Sequence, residues 1–395
     1  MNRVSEWNMS TLGEVAELNP RLTESLQSNT PVSFIPMSAV TSETASTTTG
    51  EERKYSEVSK GYTPFRDGDV LVAKITPCFE NGKIAQAKLT HPIGFGSTEF
   101  HVVRACAGKS DARYLLHVLR QGSIRADGAR KMTGSAGQRR VPEHFLAGLQ
   151  IPLPPLPEQR RIADVLDRAE ALRAKRRASL ALLDTLTQSI FLNMFGDPES
   201  VLSRWPSKNL GDCLTFMTSG SRGWAEYYTD TGDLFLRIQN VRRDELSLLE
   251  VIRVNVPQSA EAIRTRVQPG DVLISVTADL GRTAVVPQDI GVAYINQHLM
   301  LLRAPSFVPR FLSAFLTSPR GQIQIHGRNR QAVKAGLNFD DVRSLAIPTP
   351  PLPLQQEFAR RVAAVEQLRS AQRASLARMD ELFASLQHRA FRGEL

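Results

Sequence analysis

The sequence has few cysteines, and none of them lies at a spacing that binds metal or forms a redox pair. Cys78, Cys106 and Cys213 are expected to be buried free thiols, the state that a reducing cytoplasm maintains. No apolar run is long enough to cross a bilayer, and residues 1–10 lack the basic start and apolar core of a secretion signal. These absences predict a cytoplasmic protein with no membrane partner.

Motifs for common catalytic chemistry are also missing. Gly108-Lys109-Ser110 has the end of a phosphate-binding loop, but Val103 stands where its first glycine is required. None of the seven histidines belongs to an H-E-x-x-H motif, and no G-x-S-x-G elbow occurs. The chain is therefore predicted to be non-catalytic and to bind no metal or cofactor, with any methyl transfer, hydrolysis or ATP use carried out by partner proteins.

The charge balance points to a polyanionic partner. Lys and Arg number 49 against 40 Asp and Glu, which gives a formal net charge of +9. A basic surface of this kind favours nucleic acid, although many basic proteins bind none. With 395 residues, 42% of them hydrophobic, the chain is long enough to bury two or three separate cores.

The two halves of the chain repeat each other. The Pro-rich tract at residues 151–159 matches residues 347–355 at an offset of 196, and the match continues without a gap through a whole helix. Upstream, Gly-Asp-Val-Leu at residues 68–71 recurs at residues 270–273. Such self-similarity indicates a duplicated architecture, in which each half is a globular domain followed by a long helix.

The repeat predicts four segments and a mixed fold. The first globular domain covers residues 1–150 and the second covers 198–346, while residues 151–197 and 347–395 each form a Pro-rich arm and a long helix. The fold class is α/β (α+β), with twisted, mainly antiparallel sheets and a pseudo-twofold internal repeat. The signals are β-rich runs at 69–75, 100–104, 271–276 and 298–303, and helical patterns at 111–120 and 308–316.

The long helices carry apolar residues at alternating spacings of three and four, which is typical of a coiled-coil seam. The seam residues are Ile162, Val165, Ala169, Leu172, Leu183, Leu186 and Ile190 in the first helix, and Phe358, Val365, Leu368, Met379, Leu382 and Leu386 in the second. A single stripe of this kind more commonly packs on its own domain. Two stripes in register favour an antiparallel coiled coil that holds the two domains apart by roughly 55 Å, at 1.5 Å per residue.

Polar residues interrupt both stripes at matched positions. Arg176 and Ser179 lie in the first, and Gln372 and Ser375 in the second. Polar seam residues fix register at some cost in stability, or they face another protein. Both uses remain open.

This arrangement resembles the specificity subunits of Type I restriction-modification systems over nearly the whole chain. The resemblance rests on the duplicated I-P-x-P-P-L-P-x-Q tract with its helix, on the two Gly-Asp-Val-Leu motifs, and on Ser97-Thr98-Glu99-Phe100. In the second half Asn296-Gln297-His298-Leu299 stands at the last position, which departs from the pattern.

The resemblance implies a function in DNA recognition. Each globular domain would be a target recognition domain that reads one half of a bipartite site in double-stranded DNA, and the helices would form the spacer. Two methyltransferase subunits would dock on the spacer, and restriction subunits would join through the complex. S-adenosylmethionine, ATP and Mg would be used by these partners, which would methylate adenine after flipping it from the duplex.

Candidate DNA-binding residues are basic, amide and hydroxyl side chains, with one tryptophan, in predicted loops, since Arg and Lys suit guanine or phosphate and Asn and Gln suit adenine. In the first domain they are Lys74, Thr76, Asn81, Lys83, Lys131, Thr133, Ser135, Gln138, Arg139 and Arg140. In the second they are Ser219, Ser221, Arg222, Trp224, Gln239, Asn240, Thr277, Arg282, Arg328, Asn329, Arg330, Gln331 and Lys334. Any one of them, taken alone, is as well explained as a solvated surface side chain.

An alternative function is a non-catalytic scaffold whose two homologous domains bind protein, with the positive charge incidental. Association that survives nuclease treatment would favour the scaffold.

Overall fold

The computed structural model describes residues 7–48, 50–135, 137–329 and 336–395. The chain divides into two compact units. Unit 1 ends at Ser179 and also takes in Gln372–Leu395, whereas unit 2 is the continuous stretch Leu180–Ala371. Each unit therefore contains one globular domain together with a part of both long helices.

Unit 1 is built on three sheets. Its strands are β1 (Met9–Thr11), β2 (Ala16–Leu18), β3 (Pro31–Ile35), β4 (Val40–Thr41), β5 (Ser46–Thr47), β6 (Glu51–Lys54), β7 (Thr63–Arg66), β8 (Val70–Ala73), β9 (Ile84–Gln86), β10 (Ile93–Gly96), β11 (Phe100–Ala105) and β12 (Gln150–Pro152). The central sheet has the order β2-β11-β8-β9-β5-β4, a second sheet has the order β6-β3-β10-β7, and β1 pairs with β12. All four residues of β8 are buried because both faces of the strand are covered: Val70 and Val72 pack in one hydrophobic cluster and Leu71 in another.

The helices of unit 1 pack on its sheets. They are α1 (Leu12–Val15), α2 (Tyr55–Val58), α3 (Ala112–Leu119), α4 (Gly122–Arg130), α5 (Glu143–Ala147) and the long α6 (Leu156–Phe195), whose second half belongs to unit 2. The carboxylate of Asp111 caps α3 by accepting hydrogen bonds from the backbone N–H groups of Arg113, at 3.0 Å, and Tyr114, at 3.3 Å. The core packs α3 and α6 against β8 and β11.

Unit 2 repeats this plan with fewer strands. Its strands are β13 (Ser207–Asn209), β14 (Phe216–Ser219), β15 (Tyr228–Thr229), β16 (Asp233–Leu236), β17 (Ile252–Val254), β18 (Val272–Ser275), β19 (Thr283–Val285), β20 (Ala293–Ile295), β21 (Leu299–Arg303) and β22 (Ala346–Pro348). They form sheets of order β14-β21-β18-β19 and β15-β17-β16-β20, with β13 paired to β22. Its helices are α7 (Val201–Arg204), α8 (Ala260–Thr265), α9 (Pro309–Thr317), α10 (Pro319–Gly327), α11 (Phe339–Arg343) and the long α12 (Leu352–Ala390), which ends in unit 1.

The predicted mixed fold and its repeat are confirmed. The four β-rich runs are β8, β11, β18 and β21, and the two helical patterns are α3 and α9. Most strand pairs are antiparallel. Of the parallel pairs, β3 with β10 and β16 with β20 recur at matching places in the two units, and β5 with β9 lies in unit 1. Pro157 and Pro353 lie in the first turns of the long helices, where proline is tolerated.

The two long helices run antiparallel within each unit. In unit 1, Arg173 Nε donates to Asp380 at 2.6 Å, and Arg176 donates to Gln372, so the residue numbers rise along one helix as they fall along the other. In unit 2, a guanidinium nitrogen of Arg369 lies 3.6 Å from the carboxylate of Asp184. The antiparallel pairing predicted from the repeat is thus found in both units.

The contacts between the helices are more polar than the predicted seam. Leu172, Leu186, Leu368 and Leu382 are 56%, 37%, 48% and 59% exposed, while Ile162 and Phe358 are fully buried. The remaining residues of the predicted stripes, Val165, Ala169, Leu183, Ile190, Val365, Met379 and Leu386, are half-buried. The difference arises because the helix ends bury their apolar face against the domains, as Leu166 and Phe191 do, which leaves ion pairs between the helices farther along.

The three cysteines are free thiols, of which Cys213 is buried and the other two are half-buried. Among the described residues, no helix is both long and apolar enough to serve as a membrane span.

Candidate nucleic-acid interface

Three segments of unit 1 meet at one end of its central sheet. They are the loop after β8, the turn before β11 and residues 131–141. The backbone N–H of Lys74 donates to the carbonyl of Glu99, and that of Val141 donates to the carbonyl of Lys74, both at 2.8 Å. A third bond, 2.9 Å long, runs from the N–H of Thr76 to the carbonyl of Arg139. The two groups of candidate residues predicted in this domain, which are far apart in sequence, therefore lie side by side.

Residues 133–135 and 137–140 form the two sides of a short hairpin at this end, which we call the 133–140 hairpin. Thr133 and Arg140 exchange both backbone hydrogen bonds, at 3.0 and 2.8 Å. Gly134 and Gly137 have φ values of +123° and +76°, which side chains with a Cβ rarely adopt. The hairpin projects into solvent, since its candidate residues other than Arg140 are exposed: Thr133, Ser135, Gln138 and Arg139, with Lys131 just before it.

Several candidates of unit 1 already have partners inside the protein. Lys83 Nζ donates to the carbonyl of Met37 at 2.9 Å, and Arg139 donates to the carbonyl of Ala129 at 2.6 Å. The hydroxyl of Thr76 donates to Glu80 at 2.9 Å. Asn81 is exposed at the far end of the same loop, and Lys74 is half-buried beside the hairpin. These bonds order the loop, and the exposed candidates of unit 1 are Asn81, Lys131, Thr133, Ser135, Gln138 and Arg139.

Two residues of β11 and its preceding turn hold the base of the hairpin. The guanidinium of Arg140 donates hydrogen bonds to both carboxylate oxygens of Glu99, at 2.7 and 2.9 Å. This hydrogen bonding lowers the pKa of Glu99, so the carboxylate is ionised at neutral pH. His101 lies 2.8 Å from the carbonyl of Val141 through Nε2, which must therefore carry the proton, and burial lowers the pKa of this histidine.

Unit 2 has the same three-segment meeting point. The N–H of Val276 donates to the carbonyl of His298 at 3.0 Å, and the N–H of Leu337 donates to the carbonyl of Val276 at 2.9 Å. Thr277 forms an isolated bridge with Gly336, as Ile75 does with Arg140 in unit 1. His298 and Gly336 thus occupy the places of Glu99 and Arg140.

The candidate residues of the second domain fall into two groups, and the first group lies at or near this meeting point. Thr277 lies in it, with its hydroxyl 2.5 Å from Nδ1 of His298, and Arg282 closes the same loop in an ion pair with Asp279. Arg328 donates to the carbonyl of Ser344 at 2.9 Å, and Asn329 accepts from the N–H of Gly336 at 3.2 Å. Arg330, Gln331 and Lys334 lie outside the described residues.

The candidates nearer the start of the second domain lie around β14 and β16 instead. Trp224 is buried, stacks on Phe235 at 5.6 Å between ring centroids and donates its indole N–H to Glu261 at 3.2 Å. Asn240 is buried and bonds backbone groups on both sides, and Ser221 is buried against Ile295. Arg222 and Gln239 are exposed, and Ser219 is half-buried.

The Gly-Asp-Val-Leu motifs are part of the framework. Asp69 accepts from the N–H of Arg66 at 2.8 Å and pairs with Arg104 on the adjacent strand at 2.7 Å. In unit 2 Asp271 accepts from the N–H of Gln268 at 2.6 Å and pairs with Arg303 at 2.7 Å. Each aspartate closes a turn and ties two central strands together, and the hydrogen bonds that Arg104 donates to Asp69 raise the pKa of Arg104.

Glu99 and His298 were missed as site residues by the sequence reasoning. The signal was present, because the segments containing them were noted as a family motif and as its departure. A carboxylate does not itself bind phosphate, and the effect of Glu99 on the site passes through Arg140. Over the described ranges, no three His, Cys, Asp or Glu side chains converge in a group that could hold a metal ion.

Comparisons with known proteins agree with this architecture. The sequence profile of the Type I restriction modification DNA specificity domain matches residues 4–181 and 256–377, more than half of the chain. The specificity subunit of the Type I restriction enzyme EcoAI of Escherichia coli is 39% identical over 196 residues, which are 46% of this chain and 33% of that protein. The EcoEI specificity subunit of the same species is 38% identical over 186 residues, covering 47% of this chain and 31% of that protein.

The matched segment is thus about a third of the length of these two curated relatives. A solved structure described as the structural basis of complex assembly and conformational transition of the type I R-M system has a TM-score of 0.60 at 23% identity, covering 99% of both chains. That likeness concerns the fold. The profile match, in both halves of a duplicated chain, establishes that the protein belongs to the family of Type I restriction modification DNA specificity domains.

Proposed function

We propose that the chain is the sequence-specific DNA-binding specificity subunit of a Type I restriction-modification complex. Each unit reads one half of a bipartite site in double-stranded DNA. The observation that carries this proposal is the meeting point described above, which presents a strand-end loop and the segment before the Pro-rich arm together in both units. Equivalent loops on two homologous domains suit two half-sites on one duplex.

The side chains at the meeting point of unit 1 suit both kinds of DNA contact. Lys131 and Lys74 supply charge for phosphates, while Asn81 and Gln138 offer amides that pair with adenine edges. The exposed glycine-containing hairpin allows the backbone to approach DNA closely. The net charge of +9 supplies the attraction that brings a duplex to these loops.

The long helices serve as the spacer and as the docking place for two methyltransferase subunits. The exposed leucines support this role, because Leu172 matches Leu368 and Leu186 matches Leu382 at the offset of 196. Two equivalent apolar positions suit two identical partners. Restriction subunits join through the complex.

The chemistry belongs to those partners, and this chain is the non-catalytic reader of the assembly. S-adenosylmethionine, ATP and Mg are used by the methyltransferase and restriction subunits, and the complex works in the cytoplasm. Detectable methyl transfer by the purified single chain would contradict this division of labour.

A map of methylated bases in the host genome tests the proposal. The wild-type strain should carry a split motif with a fixed gap, and a strain lacking this chain should lose it. If the strain lacking this chain keeps every methylated motif, the proposal is overturned. The scaffold alternative predicts protein partners that persist after nuclease treatment and no change in methylation.

Binding of the purified complex to a duplex containing the mapped motif provides a second test. Lys131→Ala should weaken binding and reduce the slope of log affinity against log salt by about 0.9 if the lysine neutralises one phosphate. Lys60→Ala, at an exposed lysine outside the meeting point, is the control and should leave the slope unchanged. Equal slopes for both variants would remove Lys131 from the interface.

A further inference from the structure

The turn before β11 carries a motif that the framework does not use. Its Ser97-Thr98-Glu99 segment is not part of the core, yet it contacts the 133–140 hairpin directly. We propose that Glu99 is a positioning residue for DNA recognition: by clamping Arg140 it fixes the 133–140 hairpin, and so sets the base preference of unit 1 alone. This inference rests on the proposed function and explains how the DNA-binding hairpin of unit 1 is oriented.

The clamp has the geometry of a two-point attachment. Nη2 of Arg140 lies 2.7 Å from one carboxylate oxygen of Glu99, and Nε lies 2.9 Å from the other. A planar guanidinium held by two parallel hydrogen bonds cannot rotate freely about its long axis. The attachment therefore restrains the direction of the whole Arg140 side chain.

Restraining Arg140 restrains the hairpin, because Arg140 is its last residue. The backbone of Arg140 exchanges hydrogen bonds with Thr133 and also bridges to Ile75 in the loop after β8. Lys131, Ser135 and Gln138, which project from this hairpin or stand next to it, are then held in one orientation. A base-reading side chain discriminates only when its orientation is fixed, since hydrogen bonds to base edges depend on angle.

Glu99, the other residue of this ion pair, is itself held in place by the central sheet. Glu99 receives the N–H of Lys74 on its carbonyl at 2.8 Å, and its own N–H donates to the hydroxyl of Ser97 at 3.2 Å. The next residue, Phe100, begins β11 and is 1% exposed. The carboxylate is thus mounted on the central sheet, and the hairpin takes its position from that sheet.

Unit 2 is organised differently at the same place. Gly336 has no side chain to clamp, and His298 contacts the hydroxyl of Thr277 within the strand-end loop. An ion pair between the turn and the segment before the Pro-rich arm is therefore a feature of unit 1 only, as far as the described residues extend. A change at Glu99 should alter one half of the recognised site and spare the other.

A purely stabilising role predicts a different outcome. The side chains of Glu99 and Arg140 are 24% and 41% exposed, and ion pairs this accessible to water contribute little to stability. If the pair only stabilised the domain, its loss would weaken binding to every sequence equally. A change confined to base preference in one half-site is a readout that such a role would not produce.

The test uses the full chain assembled with its methyltransferase subunits. Methylated sites are mapped for the wild-type complex, Glu99→Gln and the exchange of charges Glu99→Arg with Arg140→Glu. We expect Glu99→Gln to lower base discrimination at least fivefold at one or more positions of one half-site, with the other half within twofold of wild type. The exchanged pair should regain at least half of the lost discrimination, and His298→Gln, the matched variant of unit 2, should leave the affected half-site unchanged.

Three results would overturn the inference: unchanged discrimination in Glu99→Gln, a parallel loss in both half-sites, or no recovery in the exchanged pair. Amide hydrogen exchange of β8 and β11, measured on each variant, shows whether unit 1 is still folded. A parallel loss accompanied by faster exchange assigns the pair to stability. Absence of any split motif in the wild-type map would instead contradict the proposed function itself.

Discussion

The two units share their interior chemistry and differ at the ends of their central sheets. Asp69 with Arg104 and Asp271 with Arg303 form the same ion pair on the same two strands. At the meeting points, the Glu99–Arg140 pair of unit 1 has His298 and Gly336 as its counterparts. The fold constrains the interior residues, whereas the residues at the meeting point can vary with the ligand. This contrast is expected of a DNA-binding protein in which two copies of one fold bind different sequences.

A second contrast concerns how each unit ties a small hairpin to a long helix. In unit 1 Arg120 donates to the carbonyl of Ser42 at 2.8 Å and pairs with Glu170 on α6. In unit 2 Arg310 donates to the carbonyl of Asp244 at 2.9 Å and pairs with Glu366 on α12. The glutamates match at the offset of 196, but the arginines come from different positions, since Arg120 follows α3 and Arg310 lies at the start of α9. Both units therefore keep the link between the hairpin and the long helix, but the arginine that makes the link comes from a different position in each.

The largest single loss of stability is expected at a matched pair of phenylalanines. Phe195 is fully buried, with its ring centroid 4.8 Å from that of Phe311, whereas its counterpart Phe391 is half-buried against Tyr114 at 5.8 Å. Phe195→Ala should lower the free energy of unfolding of unit 2 by about 4 kcal/mol, and Phe391→Ala that of unit 1 by about 2 kcal/mol, because the first leaves the larger cavity.

Amide hydrogen exchange resolves the two effects, with β18 and β21 reporting on unit 2 and β8 and β11 on unit 1. Equal losses at the two positions would mean that the ends of the two long helices are packed alike.

In unit 2 the small hairpin that Arg310 links to α12 contains a buried carboxylate, that of Asp244. Asp244 faces Arg310, Ser313, Glu366 and Arg369, and burial raises its pKa to about 6 although Arg310 and Ser313 oppose the shift. The folded state then holds this proton more tightly than the unfolded state. The stabilisation is fully present below about pH 4 and is lost as pH rises through about 6, a change of roughly 3 kcal/mol.

Asp244→Asn keeps the acceptor for Ser313 and removes the titration. Its stability should equal that of wild type near pH 4 and exceed it above pH 7, as judged by exchange of β18 and β21 across that range. Parallel pH profiles for the two proteins would contradict the assignment.

The smallest expected difference concerns the glutamines that open the long helices. The buried side chain of Gln159 makes three hydrogen bonds to the backbone groups of Asp111, Lys109 and Pro154, while buried Gln355 makes two, to Val308 and Pro350. Leucine at either position leaves these groups unpaired, so Gln159→Leu should cost about 1 kcal/mol more than Gln355→Leu. Denaturant titrations followed by exchange in each unit would detect the difference, and an equal cost would show that water replaces the third bond.

The repeat, the strand runs and the long helices could be predicted from the sequence because they depend on local periodicity and on a match between halves. The side of each helix that is buried could not. Leu172 and Leu382 fit the apolar spacing, yet they are exposed, because the buried face is chosen by contact with a domain distant in sequence.

The candidate site was predictable to the level of segments. The loop after β8 and residues 131–140 were both chosen, but their contact through Lys74, Thr76 and Arg139 depends on sheet pairing that no local pattern specifies. Trp224 and Asn240 have the chemistry of readers and lie in the interior, because an indole or an amide serves equally well as a buried hydrogen-bonding group.

The division of the chain into units also has a consequence for its synthesis. Unit 2 is continuous in sequence, whereas the core of unit 1 includes Phe383 and Ala390, and the indole of Trp7 donates to the carbonyl of Ala390 at 3.2 Å. During translation the start of unit 1 is synthesised first, and all of unit 2 is synthesised before Phe383 and Ala390. The domain that emerges first is thus the last to be completed, and during that interval it exposes the apolar surface that α12 later covers, which favours aggregation.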